Sequence, residues 1–194
     1  MLKEFLKDAA AAYAATDDKA AQQIAAGLSG LEIPDNWQVD YPHPAQTSLE
    51  VAFAASDSHH SVRHLAQIAE QLEWVDAASF RTPPADFRGG FCFTRIVGPD
   101  SLIEAEDFRF GVYLQDAHTI YPSHKHAAEE LYFPISGTAL WQKDNGPFEP
   151  VNSGTLIHHL TYQPHATTTL EAPMLAYWAW LGDLDPQTYS FVTK

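Results

Sequence analysis

Two kinds of hydrophobic pattern divide the chain. Over the first 75 or so residues, apolar side chains recur every three or four positions: Leu2, Phe5, Leu6, Ala9, Ala10 and Tyr13, then a second run reaching Ile24 and Leu28. That spacing places them on one face of a helix of 3.6 residues per turn, and it predicts amphipathic helices. Gly30 and Pro34 in LSGLEIPDNW stop the pattern. The two prolines of DYPHPAQ predict an irregular loop. A further helix is predicted from about Ser61, with Val62, Leu65, Ala66, Ala69 and Leu72 on one face and Asp57 and Ser58 as caps.

From about Phe80 the texture changes. After the turn-rich RTPPADFRGG, short β-rich runs alternate with breakers: FCFTRIV, FRFGVYLQ, ELYFPI, TALWQK, TLIHHL, ATTTLEA and LAYWAWL. Regular short strands separated by Gly, Pro, Asp, Asn and Ser predict a sandwich or a closed barrel. The expected layout is a helical N-terminal extension over 1–78 and a β domain over 79–194.

Composition narrows the functions available. The chain has 194 residues, 45% apolar and 12% aromatic, enough for one domain with an extension and a packed core. Its 25 acidic against 11 basic residues leave a net charge of −14. That excludes nucleic acid as the expected partner, because phosphate binding needs Lys and Arg to displace counterions, and it equally disfavours an anionic membrane. A single cysteine, Cys92, excludes an internal disulfide framework and is expected to be a small buried residue. Lys3, Glu4, Lys7 and Asp8 interrupt the N-terminus where a signal peptide would be apolar, and no run is long enough to span a membrane. A soluble cytoplasmic protein is the expectation. Barrel edge strands that pair between subunits would give a homodimer.

The chemistry concentrates in YPSHKHAAEELYFPISG, residues 121–137. Six of the ten histidines lie between His118 and His165, and imidazole beside a carboxylate suits a divalent transition metal. His124, His126, Glu130 and Tyr132 are all even-numbered. In an extended strand they face one side, and a turn in AAEE would still let both flanks aim at one point. A second strand must complete the set. Of His158, His159 and His165, the last follows Pro164 where a strand restarts and is the first choice. His158 and His159 are expected beside the site or at the surface.

These residues resemble the cupin superfamily. His124-x-His126, three residues, Glu130, six residues and Gly137 match its first motif. GTLIHHLTYQPHAT is similar to the second, ending in His165, although Tyr162 stands near the position where a turn glycine is usual. The resemblance implies a small β-barrel or jelly roll holding a metal ion, with Zn, Fe, Mn, Co and Ni all compatible. Tyr132, two residues after Glu130, sharpens it. The run His-x-His-x-x-x-Glu-x-Tyr, the helical extension and the C-terminal barrel resemble the cupin-type dimethylsulfoniopropionate (DMSP) lyases. That resemblance implies a metal-dependent lyase that releases dimethyl sulfide and acrylate from a small zwitterionic substrate. It implies Tyr132 as base and Tyr121 as its assistant. The implied ligands are His126, Glu130 and His165, with His124 either a fourth ligand or substrate-facing.

Trp178 and Trp180 share a face of the last long strand and are candidates to hold the sulfonium by cation–π attraction, or to fill the core. Glu171 and Asp183 are weighed as charge partners. Arg95 and Arg109 are weighed as carboxylate holders or as paired residues. The alternatives are a non-haem iron dioxygenase, a lyase for another β-substituted carboxylate, or a non-enzymatic ligand-binding cupin.

Overall fold

The structure is a computed structural model that describes residues 1–37, 46–56, 60–76 and 89–192. The loop expected at DYPHPAQ, the caps Asp57 and Ser58, and the junction at 78/79 therefore lie outside the described residues, apart from Gln46 at the end of that loop.

Among the described residues four helices come first: α1 (Leu2–Ala14), α2 (Lys19–Ser29), α3 (Gln46–Ala54) and α4 (His60–Ile68). The buried face of α1 is the predicted one, Leu2, Phe5, Leu6, Ala9, Ala10 and Tyr13. Burial of each large apolar side chain contributes about 1.5–3 kcal/mol, which docks the helix firmly. Asp18 caps α2 by accepting the Ala21 N–H at 2.9 Å, and the helix stops at Gly30 as the sequence predicts. On α4 the apolar face is shifted. Ala66 is exposed and Ile68 is buried, because Val62, Leu65, Ile68 and Ala69 share the face turned to the core and Ala66 falls at its edge.

The strands described after them are β1 (Trp74–Asp76), β2 (Phe91–Thr94), β3 (Phe108–Gln115), β4 (Ile120–Lys125), β5 (Glu129–Ser136), β6 (Thr138–Lys143), β7 (Glu149–Asn152), β8 (Ile157–His159), β9 (His165–Thr169), β10 (Met174–Leu181) and β11 (Ser190–Phe191). They form two antiparallel sheets, ordered β1-β2-β3-β10-β5-β8 and β11-β4-β9-β6-β7. Among the described residues the sheets are not joined into one hydrogen-bonded cylinder, so the jelly-roll form of the expected fold is the one observed.

The six-stranded sheet is buried on both faces. Phe110, Val112, Leu131, Phe133, Tyr177 and Ala179 pack with the helices in one core, where Phe5 and Tyr13 meet the Tyr177 ring at 5.7 and 6.3 Å. The opposite face, with Tyr113, Tyr132, Ala176 and Trp178, packs towards the second sheet. This double burial explains why LYFPI, after Glu130, and LAYWAWL are continuously apolar although antiparallel strands with one wet face usually alternate. Gly137, with φ of 78°, turns the chain from β5 into β6 and so from one sheet to the other. A Cβ there would collide with the Pro173 carbonyl.

Candidate metal centre and aromatic cavity

The site lies between the sheets, and both supply it. His124 belongs to β4 of the five-stranded sheet; Glu130 and Tyr132 belong to β5 of the six-stranded one. His126 sits in the crossing between them. The histidine–glutamate run is therefore two strands joined by a tight crossing, in place of one strand with a single inner face. His165 opens β9 and is the register partner of His124. One ligand atom from each of His124, His126, Glu130 and His165 lies within 4.8 Å of the others, and all four residues are buried.

Hydrogen bonds decide which ring nitrogens face inward. Nδ1 of His124, His126 and His165 lies 2.9, 3.1 and 2.9 Å from the carbonyls of Pro122, Ala128 and Gln163, each two residues away. A carbonyl only accepts, so each Nδ1 donates to it and each Nε2 is the ring nitrogen left for the cluster. Nε2 of His126 and of His165 lie 3.0 and 2.9 Å from Oε2 of Glu130. Oε1 of the same carboxylate accepts the Trp180 indole N–H at 2.7 Å.

Burial would raise the Glu130 pKa, but His126 and His165 outweigh it and hold the carboxyl well below the usual range. Burial, with His165 beside it, drives His124 well below its ordinary value and keeps it neutral. Three imidazoles and a carboxylate oxygen thus converge on one point. That donor set fits a transition-metal ion, and the cluster can hold one.

His159 supports the cluster from behind. It is fully buried and stacks on His165 at 4.0 Å, and its Nε2 accepts the Trp141 indole N–H at 2.9 Å. His158 lies outside the cluster, bound to Asp18 at 2.9 Å. Both outcomes match the sequence expectation.

An aromatic cavity of about 210 Å³ opens beside Glu130. Tyr121, Tyr132, Trp178 and Trp180 all line it, with Phe91, Phe93, Tyr113, Tyr189 and Phe191. Strand register places Trp178 beside Tyr132 and Trp180 beside Glu130. The indole N–H of Trp178 is held by the Thr94 carbonyl at 3.2 Å, and a side chain at Gly111 would collide with that carbonyl. Tyr121 stacks between Phe91 and His124, 4.1 Å from each. Burial pushes the phenols of Tyr121 and Tyr132 upward, and for Tyr132 the Glu130 charge adds to it.

The other polar candidates separate. Arg95 pairs with Glu73 at 3.2 Å, and Arg109 donates to the Pro99 and Leu184 carbonyls at 2.9 and 3.2 Å. Both border the cavity, Arg95 ion-paired and Arg109 held by backbone carbonyls. Glu171 and Asp183 do not line it. Tyr189 does, although the sequence pattern gives no sign of it: it donates its hydroxyl to that of Tyr121 at 3.0 Å and stacks on His124 at 5.0 Å. Tyr113 was legible. The odd positions of FRFGVYLQ hold Arg109, Gly111, Tyr113 and Gln115, against apolar residues at the even ones.

A two-sheet cupin fold enclosing a three-histidine, one-glutamate cluster is the class these observations define. The family model for dimethylsulfoniopropionate lyase matches residues 17–176, and the chain belongs to that family. Among curated relatives, the dimethylsulfoniopropionate lyase DddQ of Ruegeria pomeroyi is 32% identical over 101 residues, 52% of this chain and 50% of the relative. A putative dimethylsulfoniopropionate lyase DddL of Cereibacter sphaeroides is 30% identical over 122 residues, 62% of this chain and 50% of the relative. The matches span half the length of these relatives. One chain among the crystal structures of the DMSP lyases RdDddP and RnDddQII aligns with a TM-score of 0.73 at 25% identity, over 99% of this chain and 97% of that one. The crystal structure of DddQ from Ruegeria pomeroyi shares the fold, with a TM-score of 0.74 at 21% identity over 97% and 96% of the two chains. Among the described residues, no helix is long and apolar enough to cross a membrane.

Proposed function

We propose that this protein cleaves dimethylsulfoniopropionate to dimethyl sulfide and acrylate by β-elimination, with Tyr132 as the base. The observation that carries the reading is that Tyr132 and Glu130 line one small aromatic cavity whose carboxylate belongs to the four-residue ligand cluster. Family membership over residues 17–176 supports the substrate. A cavity of about 210 Å³ is smaller than the roughly 300–1,000 Å³ of sites for drug-sized ligands, which suits a substrate of a few heavy atoms.

His124, His126, Glu130 and His165 would hold one divalent ion, with each Nδ1 already held by a carbonyl and Trp180 orienting the carboxylate. When bound, such an ion supplies Lewis-acid stabilisation to the substrate carboxylate and a positive charge that favours phenolate over phenol. A free tyrosine, with a pKa of about 10, is a poor base at neutral pH.

Tyr132 removes the proton from the carbon next to the carboxylate. The electrons of that C–H bond become the new C=C bond. The C–S pair departs with sulfur, so dimethyl sulfide leaves neutral and needs no acid. Tyr132 then returns its proton to water. Tyr121, held by the Tyr189 hydroxyl and the His124 ring, orients the substrate beside Tyr132. Trp178, with the other aromatic rings, receives the sulfonium by cation–π attraction, about 0.5–2 kcal/mol per good contact. The buried Cys92 thiol, pushed up to about 12 by burial, is unreactive and compatible with a reducing, cytoplasmic setting.

The test is incubation of metal-loaded protein with DMSP under anaerobic conditions, against a panel of β-substituted acids. Dimethyl sulfide and acrylate in equal amounts are expected. An absolute requirement for oxygen would contradict the elimination.

A further inference from the structure

Tyr113 touches both tyrosines assigned to the chemistry and moves no proton in it. Its ring meets Tyr132 edge-on at 5.6 Å and stacks on Tyr121 at 6.0 Å. Those two come from different sheets, Tyr132 on β5 and Tyr121 on β4. Tyr113, on β3, therefore spans the gap between them.

Its hydroxyl is committed elsewhere. It donates to Oε1 of Gln115 at 3.0 Å. That same oxygen accepts the Thr167 hydroxyl at 2.7 Å. The Gln115 amide nitrogen donates to the Thr119 carbonyl at 2.8 Å and, more weakly, to the Thr167 carbonyl at 3.5 Å. Gln115 is fully buried, and its amide is used on both sides. A satisfied amide in a low-dielectric interior is strongly oriented, because breaking it leaves polar groups unpaired. Thr167 is also the register partner of Tyr121. The network thus ties the six-stranded sheet to the strand pair that carries Tyr121.

We propose that Tyr113, pinned by Gln115, is a positioning residue that sets the separation of Tyr121 and Tyr132. The inference rests on the lyase reading, in which those two tyrosines face the substrate. It assigns Tyr113 no proton transfer. Misplacing a reacting group by about 1 Å can cost on the order of a hundredfold in rate, so the loss should fall on kcat.

The experiment is steady-state kinetics on DMSP with metal-loaded protein, comparing wild type, Tyr113→Phe, Gln115→Met and the double variant. Each single change should lower kcat by about ten- to a hundredfold while KM stays within about twofold and metal content is unchanged. The double variant should be no worse than the poorer single one, since both break one unit. Wild-type kcat in either single variant overturns the proposal, as does a loss confined to KM or an additive double loss. A loss in Tyr113→Phe as complete as in Tyr132→Phe also overturns it, because Tyr113 would then be catalytic. Should Tyr113→Phe fail to fold, Gln115→Met carries the same test. Wild-type protein that releases no dimethyl sulfide contradicts the lyase reading instead, which keeps the two failures distinct.

Discussion

Trp180 donates its indole N–H to Oε1 of Glu130 at 2.7 Å, so that Oε2 is left facing the Nε2 atoms of His126 and His165. The same indole lies against the His126 ring, with centroids 4.4 Å apart. Trp180 is therefore tied to the ligand cluster itself as well as to the cavity wall. Trp180→Phe keeps a ring there and removes the donor. Metal affinity should fall about 10–100-fold, as when other partners of metal ligands are lost. Titration against a chelator of known affinity measures it, and unchanged affinity would restrict Trp180 to the cavity wall.

Three of the four cluster residues should separate cleanly from a neighbour. His126→Ala, Glu130→Ala and His165→Ala each remove a converging donor and should lower the metal content of purified protein. His158→Ala should not, because that ring is engaged with Asp18 at 2.9 Å and lies outside the cluster. Elemental analysis of the four variants, prepared in parallel, distinguishes the two groups.

Tyr162 bears on the motif and on stability together. It stands near the position where cupins usually have a turn glycine, and it adopts φ of 57°, the left-handed region. The turn is thus kept with a side chain in a strained conformation. Its N–H donates to the His126 carbonyl at 2.8 Å, tying the turn to the crossing segment. An L-residue there costs about 1–2 kcal/mol, and glycine returns part of that gain through its freer unfolded chain. Tyr162→Gly should therefore raise stability by about 0.5–1 kcal/mol in denaturant unfolding, with metal content unchanged. A destabilised variant would show that the half-exposed ring matters more than the backbone.

Asp18 gives a pH-dependent prediction outside the four-residue cluster. Burial acts to raise its pKa, but the Ala21 N–H and His158 outweigh it, so its folded pKa lies below the ordinary value. A depressed carboxyl contributes stability that is complete above its unfolded pKa of about 3.9 and disappears as pH falls through the folded value. Asp18→Ala should cost about 1 kcal/mol near neutral pH, as expected for a lost helix cap. The gap to wild type should close below about pH 4. Urea unfolding at several pH values checks this, and a gap that widened in acid would contradict it.

Much of this was legible in the sequence, and for physical reasons. The three-four spacing of Leu2 to Tyr13 reports one buried helix face, which is why α1 appears where predicted. Each of the seven β-rich runs contains a strand. What was hidden depends on contacts distant in sequence. A parity argument places His124 and Glu130 on one strand face; the chain instead crosses between sheets at His126, which still brings them together. Strand β1 is short and lies within the region read as helical, and it exists because Trp74–Asp76 pairs with β2. Tyr189 follows a 3-10 turn after the last long strand, where no periodicity exists to assign its side chain a direction. Only the pairing of β11 with β4 brings it to Tyr121.

The central claim is that Tyr132 removes the proton in a metal-dependent elimination. Dimethyl sulfide release from DMSP by Tyr132→Phe, measured beside wild type at equal, confirmed metal occupancy, tests it most directly. The account predicts unchanged metal content and a rate lower by about 10²–10⁴-fold, the usual contribution of a general base. A metal-replete Tyr132→Phe protein that releases dimethyl sulfide at the wild-type rate would contradict it.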